Sequence, residues 1–244
     1  MTTGLRRLLG ATTAATSIVC LLVLAIHASA SAAVLVPGPF TWTDNFDGPP
    51  LNRRWSWMNE DPAKWSLTAL PGFLRITTTE QNSNFLVQTT PAGGYWIETK
   101  VLFTPTQNFQ FAGLSIYLDD RHSLNLHRGF AAPEACPHCV GNAIYFDVVE
   151  GDDFRAFVMT PTAEGVIHLK IVMEGPQYTA LASENGTDWT QVGQVVLPDF
   201  EPTRIGLRAG NNFQPNASQI PADFDYFMLK SYAHRIYLPL VQSN

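Results

Sequence analysis

The chain has 244 residues and a formal net charge of −6. Only 15% of it is charged, against about a quarter in an average globular protein, and no basic run offsets the acidic balance. A polyanion is repelled on average, so a nucleic acid is not expected as a partner.

Residues 1–33 read as an export signal. Arg6 and Arg7 supply the positive start, and 18–26 is an apolar stretch too short to span a bilayer. Ala28-Ser29-Ala30 and Ser31-Ala32-Ala33 offer small-residue cleavage sites; an uncleaved anchor is the alternative. Val19 before Cys20 argues against lipid attachment, which prefers a small residue there. No other segment is apolar for long enough to cross a membrane. The expected location is outside the cell or on its surface, with no membrane span once the signal is removed. Residues 34–39 form a short leader.

From Phe40 to Ser231 the pattern has period two, punctuated by turn signals. In chain order it predicts eleven strands, at 74–78, 85–89, 97–103, 111–118, 124–128, 144–149, 154–159, 167–173, 178–183, 204–209 and 224–230. Ala112, Leu114, Ile116 and Leu118 alternate with Phe111, Gly113, Ser115 and Tyr117. Ile167, Leu169, Ile171 and Met173 alternate with His168, Lys170 and Val172. Such alternation buries one face of an antiparallel sheet. No stretch holds a 3.6-residue period, so there are no helices to cross between parallel strands. The expected fold is all-β, a two-sheet antiparallel jelly-roll sandwich, with a closed barrel as the alternative.

Cys136-Pro137-His138-Cys139 is the cysteine pair of the mature chain. Outside the cytosol a local Cys136–Cys139 disulfide is expected. Metal binding or redox work is the alternative, though zinc would need further ligands and a redox motif would need a helix. Asn185-Gly186-Thr187 and Asn216-Ala217-Ser218 are formal glycosylation sequons.

Asp44-Asn45-Phe46-Asp47-Gly48 with Trp55-Ser56-Trp57 opens in the manner of concanavalin A-like sandwich domains. Trp65-Ser66-Leu67, Pro71-Gly72-Phe73-Leu74-Arg75-Ile76, Ile97-Glu98-Thr99-Lys100-Val101 and the run from Ala112 to Asp120 follow. Together they resemble the C-terminal β-sandwich of family 43 β-xylosidases and the related DUF1349 domains. The hairpin Ser183-Glu184-Asn185-Gly186-Thr187-Asp188-Trp189 and the strand Phe224-Asp225-Tyr226-Phe227 fit the same pattern. The resemblance implies the lectin and glucanase type of sandwich. It does not carry the family's catalysis, which resides in a propeller domain this sequence does not contain. Ile236-Tyr237-Leu238-Pro239-Leu240-Val241, within a tail over 232–244, resembles a surface-sorting segment of exported bacterial proteins; a frayed last strand without a role is the alternative.

The expected function is that of a non-catalytic module binding a cell-wall polysaccharide such as xylan. The alternatives are a glycoside hydrolase of the same fold and a structural or adhesive surface domain. Sugar faces stack on aromatic rings while amides and charged groups take the hydroxyls. Trp96 and Tyr117 fall on the parity opposite the apolar set of their strands, and Asn125 and Arg128 lie on a neighbouring strand. These four are the candidate carbohydrate-binding residues. A glycosidase would need two facing carboxylates, but Asp147 and Glu150 have opposite parity and Glu98 has no evident partner. Asp44, Asp47 and Asp225, with Asp223 nearby, are candidates for a structural calcium site; turn capping is the alternative.

Overall fold

The computed structural model describes residues 38–79, 83–136, 138–211 and 216–232, with the backbone alone at 154–157. The export signal, most of the leader and nearly all of the tail lie outside these residues. All eleven expected strands are present, and four short or edge strands join them: β1 (Thr41–Asp44), β2 (Ser56–Met58), β3 (Trp65–Ser66) and β13 (Thr190–Val196). These four were too short, or too exposed on both faces, for alternation to mark them.

The first sheet has the order β13, β12 (Gln177–Ser183), β11 (Val166–Glu174), β6 (Tyr95–Leu102), β15 (Pro221–Ser231), β4 (Leu74–Thr77), β3. β1 pairs with the second half of β15. The second sheet runs β10 (Asp153–Pro161), β9 (Gly141–Glu150), β8 (His122–Ala131), β7 (Gln110–Asp119), β14 (Arg204–Gly210), β5 (Phe85–Thr89), β2. Every pairing is antiparallel. The two sheets are distinct, so the arrangement is a sandwich and not a closed barrel.

Alternation places the apolar sets where the two sheets meet. Ile97, Leu169, Ile171, Phe224 and Phe227 come from the first sheet, and Leu114, Ile116, Leu124, Leu126, Phe146 and Leu207 from the second; all are buried in one continuous core. Each such side chain contributes about 1.5–3 kcal/mol by leaving water. Thr99 shares that inward parity, and its hydroxyl is satisfied by donating to the Tyr226 carbonyl at 2.6 Å. A register shift between Phe224 and Tyr226 turns the tyrosine outward while both flanking phenylalanines stay buried.

Two ends of the sandwich are pinned locally. Asp44 accepts from the Phe46 amide at 3.0 Å and the Trp55 indole at 2.9 Å. That holds Trp55 against Phe46, Trp42 and Phe227. At another edge Cys136 and Cys139 form the expected disulfide. Cys139 packs with Ala131, Ala143 and Tyr145 in a second, smaller apolar cluster. Among the described residues, no helix is long and apolar enough to cross a membrane.

Candidate functional site

Each sheet turns a second face outward, and both outer faces carry chemistry. On the second sheet, antiparallel register lines residues up in rows. Arg208, Gly113, His127 and Tyr145 share one row across β14, β7, β8 and β9, and Gly206, Ser115, Asn125 and Asp147 share the next. A side chain at Gly113 would collide with the Leu126 carbonyl at 2.3 Å, so the centre of the face stays bare between Arg208 and His127.

The second row is hydrogen-bonded. Ser115 donates to Asn125 Oδ1 at 2.7 Å. Asn125 Nδ2 donates to Asp147 Oδ1 at 2.9 Å and to Ser123 Oγ at 3.1 Å. His127 lies beside it with Nδ1 3.6 Å from Asp147 Oδ2, too far for a hydrogen bond. The imidazole stacks on Tyr145 at 5.6 Å and tilts against Phe111 at 5.2 Å. The Arg208 guanidinium sits over Phe111 at 5.0 Å and Phe85 at 5.7 Å. Tyr117 meets Phe85 edge-on at 5.6 Å and donates its hydroxyl to Asp120 at 2.7 Å.

Burial sets the electrostatics here. Asp147 is only 4% exposed, and loss of water pushes its carboxyl up to about 6, against the opposing pull of Asn125 and Arg208. The same desolvation, helped by the positive charge of Arg208, pushes the His127 imidazole down to about 3. At neutral pH the face thus holds a carboxylate beside an uncharged imidazole.

The outer face of the first sheet is built differently. Lys170 pairs with Glu98 at 2.9 Å and lies over Trp189 at 3.7 Å and Trp96 at 5.1 Å. Tyr226 donates to Glu98 at 2.6 Å, which leaves its oxygen to accept from His168 Nδ1 at 3.0 Å. Lys100 pairs with Asp225 at 2.6 Å. The β12–β13 loop folds over this network. Asn185 Oδ1 accepts from the Thr187 and Asp188 amides, and Gly186, at φ 76°, leaves no room for a side chain against His168.

The structure separates the four expected sugar-binding residues. Tyr117 and Asn125 share the second sheet's outer face, while Trp96 is on the first sheet's. Arg128 has the inward parity of Leu124 and Leu126 and is 2% exposed. Its guanidinium donates to the Glu164 and Gly129 carbonyls and to Asn142 Oδ1, so it serves as an internal brace. Asp147 and Glu150 do point to opposite faces, and Glu98 has the partners that sequence could not name. Asp44 is engaged with Phe46 and Trp55, and Asp225 with Lys100. Asp47 joins neither in a cluster: among the described residues no three His, Cys, Asp or Glu side chains gather to hold a metal. Asp147 entered the sequence reading only as a candidate catalytic acid, and its grouping with His127 and Arg208 was not legible there. Their signal was polar residues at the centre of apolar strands, as in Phe146-Asp147-Val148.

A two-sheet antiparallel sandwich with polar and aromatic outer faces is the architecture of concanavalin A-like domains. Residues 43–230 match the family of β-xylosidase C-terminal concanavalin A-like domains, and the chain belongs to that family. It is 28% identical over 198 residues to a non-reducing end α-L-arabinofuranosidase of Bacteroides ovatus, covering 75% of this chain and 36% of that protein. Among solved structures, the GH43 protein BlXynB of Bacillus licheniformis superposes with a TM-score of 0.69 at 22% identity, covering 78% of this chain and 39% of that one. A xylan β-1,4-xylosidase of Bacillus halodurans gives 0.65 at 24%, covering 78% and 39%. The chain thus spans less than two-fifths of the length of these relatives.

Proposed function

We propose that this chain is an exported, non-catalytic module that binds a plant cell-wall polysaccharide bearing xylose or arabinose, through the outer face of its second sheet. One observation carries the reading. Five adjacent strands gather Asn125, His127, Asp147 and Arg208 among the rings of Phe85, Phe111, Tyr117 and Tyr145, the combination that sugar recognition needs. The names of the relatives, an arabinofuranosidase and a xylan xylosidase, support the sugar class. The non-catalytic part is supported by the neighbours of Asp147. They are an amide, an imidazole and a guanidinium, where a glycosidase would set a second carboxyl group. The first sheet's outer face has its rings and charges already committed to each other and to the covering loop.

Affinity electrophoresis and calorimetry on arabinoxylan, xylan and cellulose test this. Retardation by arabinoxylan or xylan that weakens about tenfold in Tyr117→Ala, with no release of reducing sugar, is the expected result. No binding to any of the three, or hydrolysis of one, overturns it.

A further inference from the structure

The second sheet's outer face contains a break in an otherwise complete hydrogen-bond network. Ser115 and Ser123 hold the Asn125 amide, and Asn125 holds one oxygen of Asp147. The other oxygen, Oδ2, accepts no hydrogen bond among the described residues; its nearest polar neighbour is His127 Nδ1, 3.6 Å away. His127 itself makes no hydrogen bond among them and is held by ring contacts alone, to Phe111 and Tyr145. The two side chains are 5% and 13% exposed. Buried polar groups are ordinarily satisfied, and a polar contact longer than about 3.5 Å calls for something between the groups. Neither atom is fully enclosed, so a group from outside can reach both, accepting from one and donating to the other.

We infer that the gap between Asp147 Oδ2 and His127 Nδ1 is the polar seat of the binding face, and that it takes a pair of neighbouring ring hydroxyls from one sugar residue. This rests on the sugar-binding reading above and adds the chemistry of the contact. One hydroxyl donates to Asp147 Oδ2. Its neighbour accepts from the Nδ1–H of His127, the tautomer that a facing carboxylate favours. A spacing of 3.6 Å suits two adjacent hydroxyls side by side, each at hydrogen-bond distance from its own partner. Ser115 and Asn125 are positioning residues that aim the carboxylate, while Phe111 and Tyr145 aim the ring. The face supplies an ionised acceptor and a neutral donor at neutral pH, so no proton need move when the sugar binds.

The test uses the full chain, calorimetry and two probes: an arabinoxylan oligosaccharide and the same oligosaccharide with its hydroxyls O-methylated. The wild type is expected to prefer the free hydroxyls by about tenfold or more, since a site built to hydrogen-bond rejects an analogue that cannot. Asp147→Asn and His127→Phe should each lose about tenfold in affinity. The double variant should be little worse than either single one, because both side chains serve one hydroxyl pair. Melting curves confirm that Asp147→Asn, a near-isosteric change, remains folded. If the variants bind like the wild type while Tyr117→Ala does not, the seat holds only solvent; the inference falls and the sugar-binding reading stands. If the wild type binds neither probe nor any xylan, both fall.

Discussion

The two outer faces handle charge in opposite ways. On the first sheet, opposite charges touch: Lys170 with Glu98 at 2.9 Å and Lys100 with Asp225 at 2.6 Å, beneath a loop that closes over His168. On the second, Asp147 has an amide at one oxygen and only a 3.6 Å approach at the other, and its pKa rises where a paired carboxylate's would fall. Contact pairing favours stability, because each charge has a partner and Glu98 also accepts from Tyr226. A desolvated carboxylate short of partners is destabilising in the free protein, the usual mark of a surface shaped for something else. On the function proposed above, the comparison separates a face built for stability from one left open to a ligand.

Removing one member of the contact pair should have the largest effect. Lys170→Ala strands Glu98, 11% exposed, with Tyr226 alone, and takes the cation from between Trp189 and Trp96. A loss of about 3 kcal/mol in a urea melt is expected, with sugar affinity unchanged. A loss of affinity instead would mean that the first face binds, and the comparison would be inverted.

The second face should give the opposite sign. Asp147 is held up at about 6, against 3.8 for a free side chain, so its folded form binds a proton more tightly than its unfolded form. The associated stability is complete below about pH 4 and is lost as pH rises through 6. Asp147→Asn should therefore stabilise the protein at pH 7 by up to about 3 kcal/mol, and the gain should fade towards pH 4. His127 runs the other way. Its folded pKa is lowered to about 3, so stability is lost as pH falls below the unfolded value of 6.5. In the wild type the two slopes oppose each other between pH 6 and 4. His127→Phe should unmask a protein that gains stability on acidification, and Asp147→Asn one that loses it. Parallel pH–stability curves for the two variants would show that these groups do not control the face.

These differences bear on what the sequence could disclose. Strand positions were legible because one-sided burial writes a period of two directly into the chain, as at Leu114, Ile116, Leu169 and Ile171. Sheet membership was not. β6 and β7 are consecutive, yet they belong to different sheets, so Trp96 and Tyr117 share an outward parity without sharing a face. Arg128 was misjudged because a guanidinium can lie inward when carbonyls and an amide oxygen receive each of its three nitrogens. The row Ser115, Asn125, Asp147 exists only through the register of three strands. It shows in sequence merely as polar residues interrupting apolar runs.

The disulfide gives a middle-sized test of the second face. Cys139 shares its small apolar cluster with Tyr145, the ring on which His127 stacks. The loop it closes is short, with a sequence separation of 3, so the Cys136→Ser, Cys139→Ser variant should lose about 2 kcal/mol. Sugar affinity should fall with it if Tyr145 aims the imidazole. Stability falling while affinity holds would confine the staple to a purely structural role.

The smallest expected effect is none at all, and it tests how complete the pairing is elsewhere. Asp44 and Asp225 are two of the carboxylates that a calcium joining the ends of the domain would be expected to use. Asp44 already accepts from the Phe46 amide and the Trp55 indole, and Asp225 already faces Lys100. A cation there would have to displace Lys100 and compete with two donors fixed by backbone and core. Thermal melts with and without a chelator should therefore share one midpoint. Asp44→Ala should lower that midpoint by the equivalent of about 1–2 kcal/mol, because a buried indole N–H loses its acceptor. A chelator-sensitive midpoint would show that the carboxylates hold a metal in solution, and that contact pairing does not account for the first face.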